Sequence, residues 1–202
     1  MCHSGLNGLK IGFALTGSHC SLAKALSVMA ALKEQGGEIL PILSPSVQST
    51  DSRFGEAVYW RREIRRVSGA AQIIDSIPLA EPIGPKKLLD ILLICPCSGN
   101  TLAKLAAGIT DTPVLMAAKA HLRIGRPLTL AVATNDALSA NAKNIGQLLN
   151  CKNVFFVPFR QDAPFEKPNS LVAAWDLVAE TLLCALEYKQ KQPLLLASPA
   201  PV

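Results

Sequence analysis

The residues best suited to chemistry in this chain lie where apolar runs give way to small polar residues. Thr16-Gly17-Ser18-His19 follows one such run, and Ser44, Ser46, Ser49 and Thr50 follow a second. Pro96-Cys97-Ser98-Gly99-Asn100-Thr101 follows a third, and Thr134-Asn135-Asp136 a fourth. Three of these junctions lead straight into helical patterns. Small residues at a helix start expose backbone N–H groups, and hydroxyls add donors; together they make an anion site, most often for phosphate. Ser, Thr, Asn and Asp are also ordinary helix N-caps. Capping accounts for any single junction, but less well for four, so the pattern points to a phosphate-bearing ligand.

Several other chemistries lack their residues. Gly12 and Gly17 do not form G-x-G-x-x-G, and neither a phosphate-loop G-x-x-x-x-G-K-[ST] nor a G-x-S-x-G elbow occurs. His3, His19 and His121 have no zinc spacing, and no metal is expected. The cysteines are Cys2, Cys20, Cys95, Cys97, Cys151 and Cys184, with no C-x-x-C among them. They read as reduced, buried small hydrophobes. Cys95 and Cys97 flank Pro96 and are expected on opposite faces, which argues against joint chelation. The run Arg61-Arg62-Glu63-Ile64-Arg65-Arg66 is either a solvated helix face or a docking surface for an anionic ligand or another protein chain.

The elements that must position these residues follow from hydrophobic periodicity. Strands are expected over residues 9–15, 38–43, 88–95, 128–133 and, as the last, 154–157. Pro41 marks the second as an edge or bulged strand. The near-continuous Ile/Leu run of 88–95 suits a strand buried on both faces. Helices are expected over 21–35, 52–68, 99–108, 138–149 and 171–189. Residues 113–123 read as helix rather than strand: Thr110 or Asp111 caps it, Pro113 opens it, Lys119, His121 and Arg123 suit its negative end, and Gly125 stops it. Residues 75–86 form a Pro-rich connection. Residues 1–190 make one domain, and 191–202 a flexible C-terminal tail. Strands alternating with helices mean a doubly wound, Rossmann-like parallel sheet with helices on both faces. In such sheets ligands bind beyond the carboxyl ends of the strands, where the four polar junctions fall.

Composition agrees. Of 202 residues half are apolar and 17% charged, against about 25% in average soluble domains. That excludes extensive disorder, and six Cys are too dilute for a disulfide scaffold. The formal charge of +5 is modest and aromatics are few, which argues against nucleic acid as partner. No apolar stretch reaches the roughly 18 residues of a membrane span, and no secretory signal is visible, so a cytoplasmic protein is expected.

Three motifs carry a resemblance. Leu15-Thr16-Gly17-Ser18, Pro96-Cys97-Ser98-Gly99-Asn100-Thr101 and Ala133-Thr134-Asn135 resemble, in order and spacing up to about Trp175, the flavoprotein family of homo-oligomeric, flavin-containing cysteine decarboxylases. The middle motif is similar to the family's Pro-Ala-Ser-Ala-Asn-Thr, with Cys97 and Gly99 in place of alanines. Asn135 falls on the Asn of its Pro-Ala-Met-Asn. Within the family, the segments of residues 11–20, 49–56, 134–139, 155–159 and 164–170 are most similar to the branch of dipicolinate synthase B subunits.

The resemblance implies a flavin mononucleotide (FMN) site. Ser18 and the backbone around Gly17 would hold the phosphate, joined by Ser44 and flanked by Thr16 and Thr134. Ser98, Asn100 and Thr101 would line the flavin. Asn135 would sit near the ring or substrate, and Asn100 is the position that contacts a substrate carboxylate in the decarboxylases. The family's active-site His would fall near Ser76-Ile77-Pro78-Leu79 and its Cys within 159–166, and this chain has neither there. Decarboxylation of a cysteinyl substrate is therefore disfavoured. The branch implies an oxidoreductase instead: a dihydrodipicolinate-type intermediate is oxidised to dipicolinic acid together with the A subunit of dipicolinate synthase, which would supply an NAD(P) site, in the mother cell of a spore-forming bacterium. Arg53, Arg160 and Lys167 are candidate partners for the two carboxylates, by charge and loop position. Residues 158–170 are either a lid or a plain surface loop. A non-catalytic partner of the A subunit and a stand-alone flavin-dependent decarboxylase are the alternatives, and a homo-oligomer is implied.

Overall fold

The computed structural model describes residues 5–197. Seven strands form one mixed sheet flanked by helices. Its parallel part contains β1 (Lys10–Leu15), β2 (Glu38–Leu43), β3 (Ile91–Cys97), β4 (Leu128–Thr134) and β5 (Val154–Phe156), in the order β2-β1-β3-β4-β5. Two short strands absent from the sequence expectation, β6 (Phe159–Arg160) and β7 (Leu171–Ala173), add an antiparallel corner. β7 pairs with Ala133 and Thr134 at the end of β4, just past the residues that pair with β5. The sheet is therefore doubly wound but not wholly parallel, and β5 is not the last strand.

Alternation along the strands explains why both faces are covered. Ile11, Phe13, Leu15, Leu93 and Cys95 pack on one side, under α1 (Leu22–Glu34), α3 (Ala57–Ser68) and α8 (Val178–Leu186). Ala14, Leu92, Ile94, Leu130 and Val132 pack on the other, under α5 (Gly99–Ala106), α6 (Pro113–Arg123) and α7 (Ala142–Leu149). Every residue of β3 is buried, as a strand covered on both faces requires. Cys95 and Cys97 do fall in different cores. A regular strand would put residues two apart on one face; the register shift between Ile94 and Cys97 separates them.

The sheet edges are closed by single residues. β2 is an edge strand, as Pro41 suggested; the Pro41 carbonyl faces outward and accepts from the Ile74 N–H, while Ile74 O accepts from Leu43 N–H. The missing N–H of Pro41 therefore costs the ladder nothing. At β5 the Gln190 side-chain amide bonds both the N–H and the C=O of Phe156, at 2.8 and 2.7 Å. At β6, Phe159 exchanges backbone bonds with Leu194 and Leu196. Residues 194–196, read from sequence as part of a loose tail, are thus held to the sheet; 198–202 lie outside the described residues.

Other elements differ in extent. The helix expected over 52–68 starts at Ala57, whose N–H is capped by the Asp51 carboxylate at 2.8 Å. Two short helices are additional: α2 (Pro45–Ser49) follows β2, and α4 (Ile77–Ala80) lies within the Pro-rich connection. The helix after β4 begins at Ala142 rather than 138, because Asp136 turns the chain back through its carbonyl, which accepts from Ser139 and Asn141 N–H. The helix expected from 171 begins only at Val178, since Leu171–Ala173 are claimed by the sheet. Thr112, not Thr110 or Asp111, caps α6 through its side chain. His121 does not serve the end of α6 as a surface cation: it is fully buried and its Nε2 lies 3.1 Å from Pro127 O. Burial pushes its pKa down to about 4. Cys20 and Cys151 are exposed and Cys184 is half-buried, so among the described residues only Cys95 and Cys97 match the reading of the cysteines as core; burial raises both thiols far above their ordinary value. Cys2 and His3 lie outside the described residues.

Candidate functional site

The 2-1-3-4-5 order reverses direction between β1 and β3, and open sheets bind ligands beyond the carboxyl ends of such neighbours. A cavity of ≈ 590 Å³ lies there, with walls from the loops after β1, β3 and β4, the turn at residues 52–54, and the β6–β7 hairpin loop. Of the residues singled out from sequence, Gly17, Ser18, Ser98, Thr134, Asn135, Arg53 and Lys167 line it.

The others do not. Thr16 is buried beneath the cavity, where its Oγ1 donates to Pro96 O at 2.6 Å and accepts from Ser98 N–H at 2.9 Å. Thr101 is buried and bonds the Ser98 hydroxyl at 3.0 Å. Ser44 is buried, and its Oγ has no hydrogen-bond partner. Asn100 is exposed on the first turn of α5 but outside the lining, and Arg160 is held in β6, also outside it.

The junction hydroxyls are largely committed. Ser18 Oγ donates to Ala133 O at 2.6 Å, which ties the loop after β1 to the end of β4. With Thr16 bridging β1 to β3, two side chains fasten three strand ends together. Thr134 Oγ1 donates to one Asp136 oxygen at 2.6 Å, and Asn141 Nδ2 to the other at 2.8 Å. Gly99 opens α5 against this group: a Cβ there would stand 2.6–2.7 Å from the side chains of Thr134, Asp136 and Asn141. No side chain larger than hydrogen fits between the α5 start and the loop after β4.

Fewer donors remain free toward the cavity. The amide of Asn135 is exposed and makes no side-chain hydrogen bond to a described residue. Of the first-turn N–H groups of α5, that of Thr101 is taken by the Ser98 hydroxyl at 3.4 Å, while those of Gly99 and Asn100 have no acceptor within their own helix. Arg53 reaches over the Phe54 ring, 4.9 Å from its centroid. Lys167 Nζ lies 3.5 Å from Asp162 Oδ2. Partial burial pushes the Asp162 pKa upward, but the Ser170 hydroxyl, its own backbone N–H and Lys167 together hold the carboxyl below its ordinary value.

Two groups of lining residues were given no role in the ligand site from sequence, although His19 lies in the first polar junction. His19 sits at the cavity wall with Nε2 3.0 Å from Ser46 Oγ and Nδ1 without a partner. Ser46 also presses on Gly17, where a Cβ would come within 2.8 Å of its Oγ. Asp162 and Ser170 belong to the 158–170 segment, whose position beside the cavity depends on β6 and β7 pairing, which no local pattern reveals.

The comparisons with known proteins agree with this geometry. The family model described as Flavoprotein matches residues 3–183. The chain is 48% identical over 192 residues to the B subunit of dipicolinate synthase from Bacillus subtilis (strain 168), covering 95% of this chain and 96% of that protein. The crystal structure of the dipicolinate synthase B subunit from Bacillus halodurans C is 44% identical and superposes with a TM-score of 0.88, covering 96% of this chain and 99% of that one. An FMN-dependent cysteine decarboxylase, 21% identical over 90% of this chain and 97% of its own, shares the fold with a TM-score of 0.68. Expected from its junction motifs and matched over nearly its whole length, the chain belongs to the Flavoprotein family.

Proposed function

We propose that this chain is the flavin-bearing B subunit of a dipicolinate synthase, binding FMN at the β1/β3 switch point and acting with the synthase's A subunit to oxidise a dihydrodipicolinate-type diacid to dipicolinic acid. The observation that supports it most is the likeness, along nearly the whole chain, to a dipicolinate synthase B subunit, joined to a cavity at the place where this sheet order takes a ligand.

The donor set fits a flavin phosphate and a diacid. Gly17 brings the backbone of the loop after β1 close to the cavity because nothing larger fits beside Ser46. The unpartnered Ser44 Oγ is a buried polar atom at the same strand-end level, and such atoms are unfavourable to leave unpaired. Bound FMN would supply a two-electron acceptor. The chain's own residues do the rest: the α5 start and the loop after β1 hold the anion, Arg53 and Lys167 at the rim pair with carboxylates, and the Asn135 amide donates to a substrate oxygen. Lys167 meets its substrate only by leaving Asp162. Asn100, outside the lining, does not join this set within a single chain. An NAD(P) site belongs to the A subunit in this reading.

Titration of the purified chain with FMN tests the cofactor. A saturable, protein-perturbed flavin spectrum is expected; its absence with a correctly folded chain overturns the cofactor assignment. With the A subunit present, Arg53→Ala and Lys167→Ala should each raise KM for the diacid by roughly tenfold, the effect of losing a charge-assisted bond of about 1.5 kcal/mol. A second reading, a non-catalytic partner of the A subunit, draws support from the commitment of Thr16, Ser18 and Thr134 hydroxyls to the protein itself. Asn135→Ala separates the two: full dipicolinate formation by that variant favours the structural role. Release of carbon dioxide from a peptidyl cysteine would point to a decarboxylase instead.

A further inference from the structure

The cavity wall after β1 holds a side-chain pair that the proposed function leaves without a task. His19 lines the cavity, and its Nε2 stands 3.0 Å from the Oγ of Ser46, just after β2. Ser46 in turn lies against Gly17, where a Cβ would meet its Oγ at 2.8 Å and its Cβ at 3.2 Å. Gly17, His19 and Ser46 thus form one packed unit across the ends of two neighbouring parallel strands, β1 and β2.

Polar groups in and beside this unit lack partners. His19 Nδ1 is shielded from water by the protein and bonds nothing among the described residues. Ser44 Oγ, two residues before Ser46, is in the same condition, and Ser44 as a whole is only 7% exposed. The backbone N–H groups of Gly17, His19 and Cys20 find no acceptor among the described residues. Native proteins pair nearly all buried polar atoms, so a group of exceptions in one place calls for a cause. Support of the neighbouring helix does not supply one for the histidine. It precedes α1, and the amino end of a helix disfavours a cation and favours an anion.

We propose that His19, positioned by Ser46, is a further contact for the FMN phosphate, its imidazole donating to a phosphate oxygen. The proposal deepens the flavin reading above and rests on it. With the Ser46 hydroxyl donating to Nε2, the ring proton sits on Nδ1, the nitrogen without a partner. Because Nδ1 bonds nothing in the chain, it forfeits no hydrogen bond when the ring shifts toward a ligand. A phosphomonoester suits the place better than a carboxylate. It has three terminal acceptor oxygens, enough for loop N–H groups and an imidazole together. The cations that suit a carboxylate, Arg53 and Lys167, come from other walls, the turn at 52–54 and the β6–β7 loop. His19 therefore sets a preference for FMN over the same flavin without its phosphate.

The test is titration of the purified chain with FMN and with riboflavin, which lacks the phosphate. His19→Leu should bind FMN roughly tenfold more weakly, the effect of losing one charge-assisted hydrogen bond, and riboflavin as the parent chain does. His19→Gln keeps a side-chain donor and should stay within about threefold of the parent for FMN. The phosphorus NMR resonance of bound FMN should move between the parent and His19→Leu. Circular dichroism establishes that each variant is folded. Unchanged FMN affinity in His19→Leu overturns the proposal, as does an equal loss for both flavins or an unmoved phosphorus resonance. Where riboflavin binds too weakly to compare, the phosphorus resonance decides. If the parent chain binds no FMN, the cofactor reading falls and this inference with it. FMN binding by the parent that His19→Leu leaves intact removes the role of His19 alone.

Discussion

At the scale of single residues, polar groups in this molecule divide into those that hold the protein together and those left for a ligand. Thr16 and Ser18 look alike in sequence, as hydroxyls in a polar loop, yet Thr16 is locked under the cavity and Ser18 lines it while bonded to Ala133. Residue type shows the capacity to donate; only the fold shows which acceptor the proton meets. His121 makes the same point with charge. Sequence places it as a cation near a helix end, and burial instead keeps it neutral. Its folded pKa lies below the unfolded value of about 6.5, so its neutral form contributes stability at pH 7. That contribution declines as pH falls from about 6.5 through 4, by at most about 1.4 kcal/mol per pH unit. Denaturant unfolding at pH 7, 6 and 5 should show this decline, and His121→Leu should flatten it.

At the scale of elements, the arrangement of helix α5 against the loop after β4 decides the cavity's shape. Gly99→Ala forces a methyl into the side chains of Thr134, Asp136 and Asn141. Overpacking of this kind costs about 1–3 kcal/mol, and the shift of the α5 start should weaken FMN binding at least tenfold, read by the same flavin titration. The parallel strands and α1 were legible because their apolar spacing is local and strong, as in 22, 25, 29 and 32 of α1. So was the helical reading of 113–123, through Pro113. What sequence could not supply was β6 and β7, of two and three residues, whose only reason to be strands is the partner they meet. Without them the start of α8 was misplaced, and with it the position of Asp162 and Ser170. Three of the four polar junctions, those after β1, β3 and β4, meet at the cavity, because chain direction in a parallel sheet fixes which ends gather, while the junction after β2 contributes no lining residue. Which side chains face inward there was not legible, and Asn100, Thr101, Ser44 and Arg160 lie off the cavity for that reason.

At the scale of the whole molecule, low charge and high apolar content now have a physical account: a sheet covered on both faces by helices, with much of the net positive charge gathered on one helix. Among the described residues no helix is long and apolar enough to cross a membrane.

The closed sheet edges govern how this molecule can associate. An open edge strand is a template on which other chains can polymerise. Here Ile74 shields β2, the Gln190 amide stands in for a neighbouring peptide at β5, and the 194–196 segment seals β6. Assembly must therefore run through helix faces and loops, with no continuous sheet passing between chains. Gln190→Ala should unseal one such edge and make the protein more prone to aggregate on mild heating, measured as light scattering against the parent chain. Truncation before residue 194 should do the same at β6, so the C-terminal segment acts as a bung against runaway polymerisation and is a poor place to trim the protein.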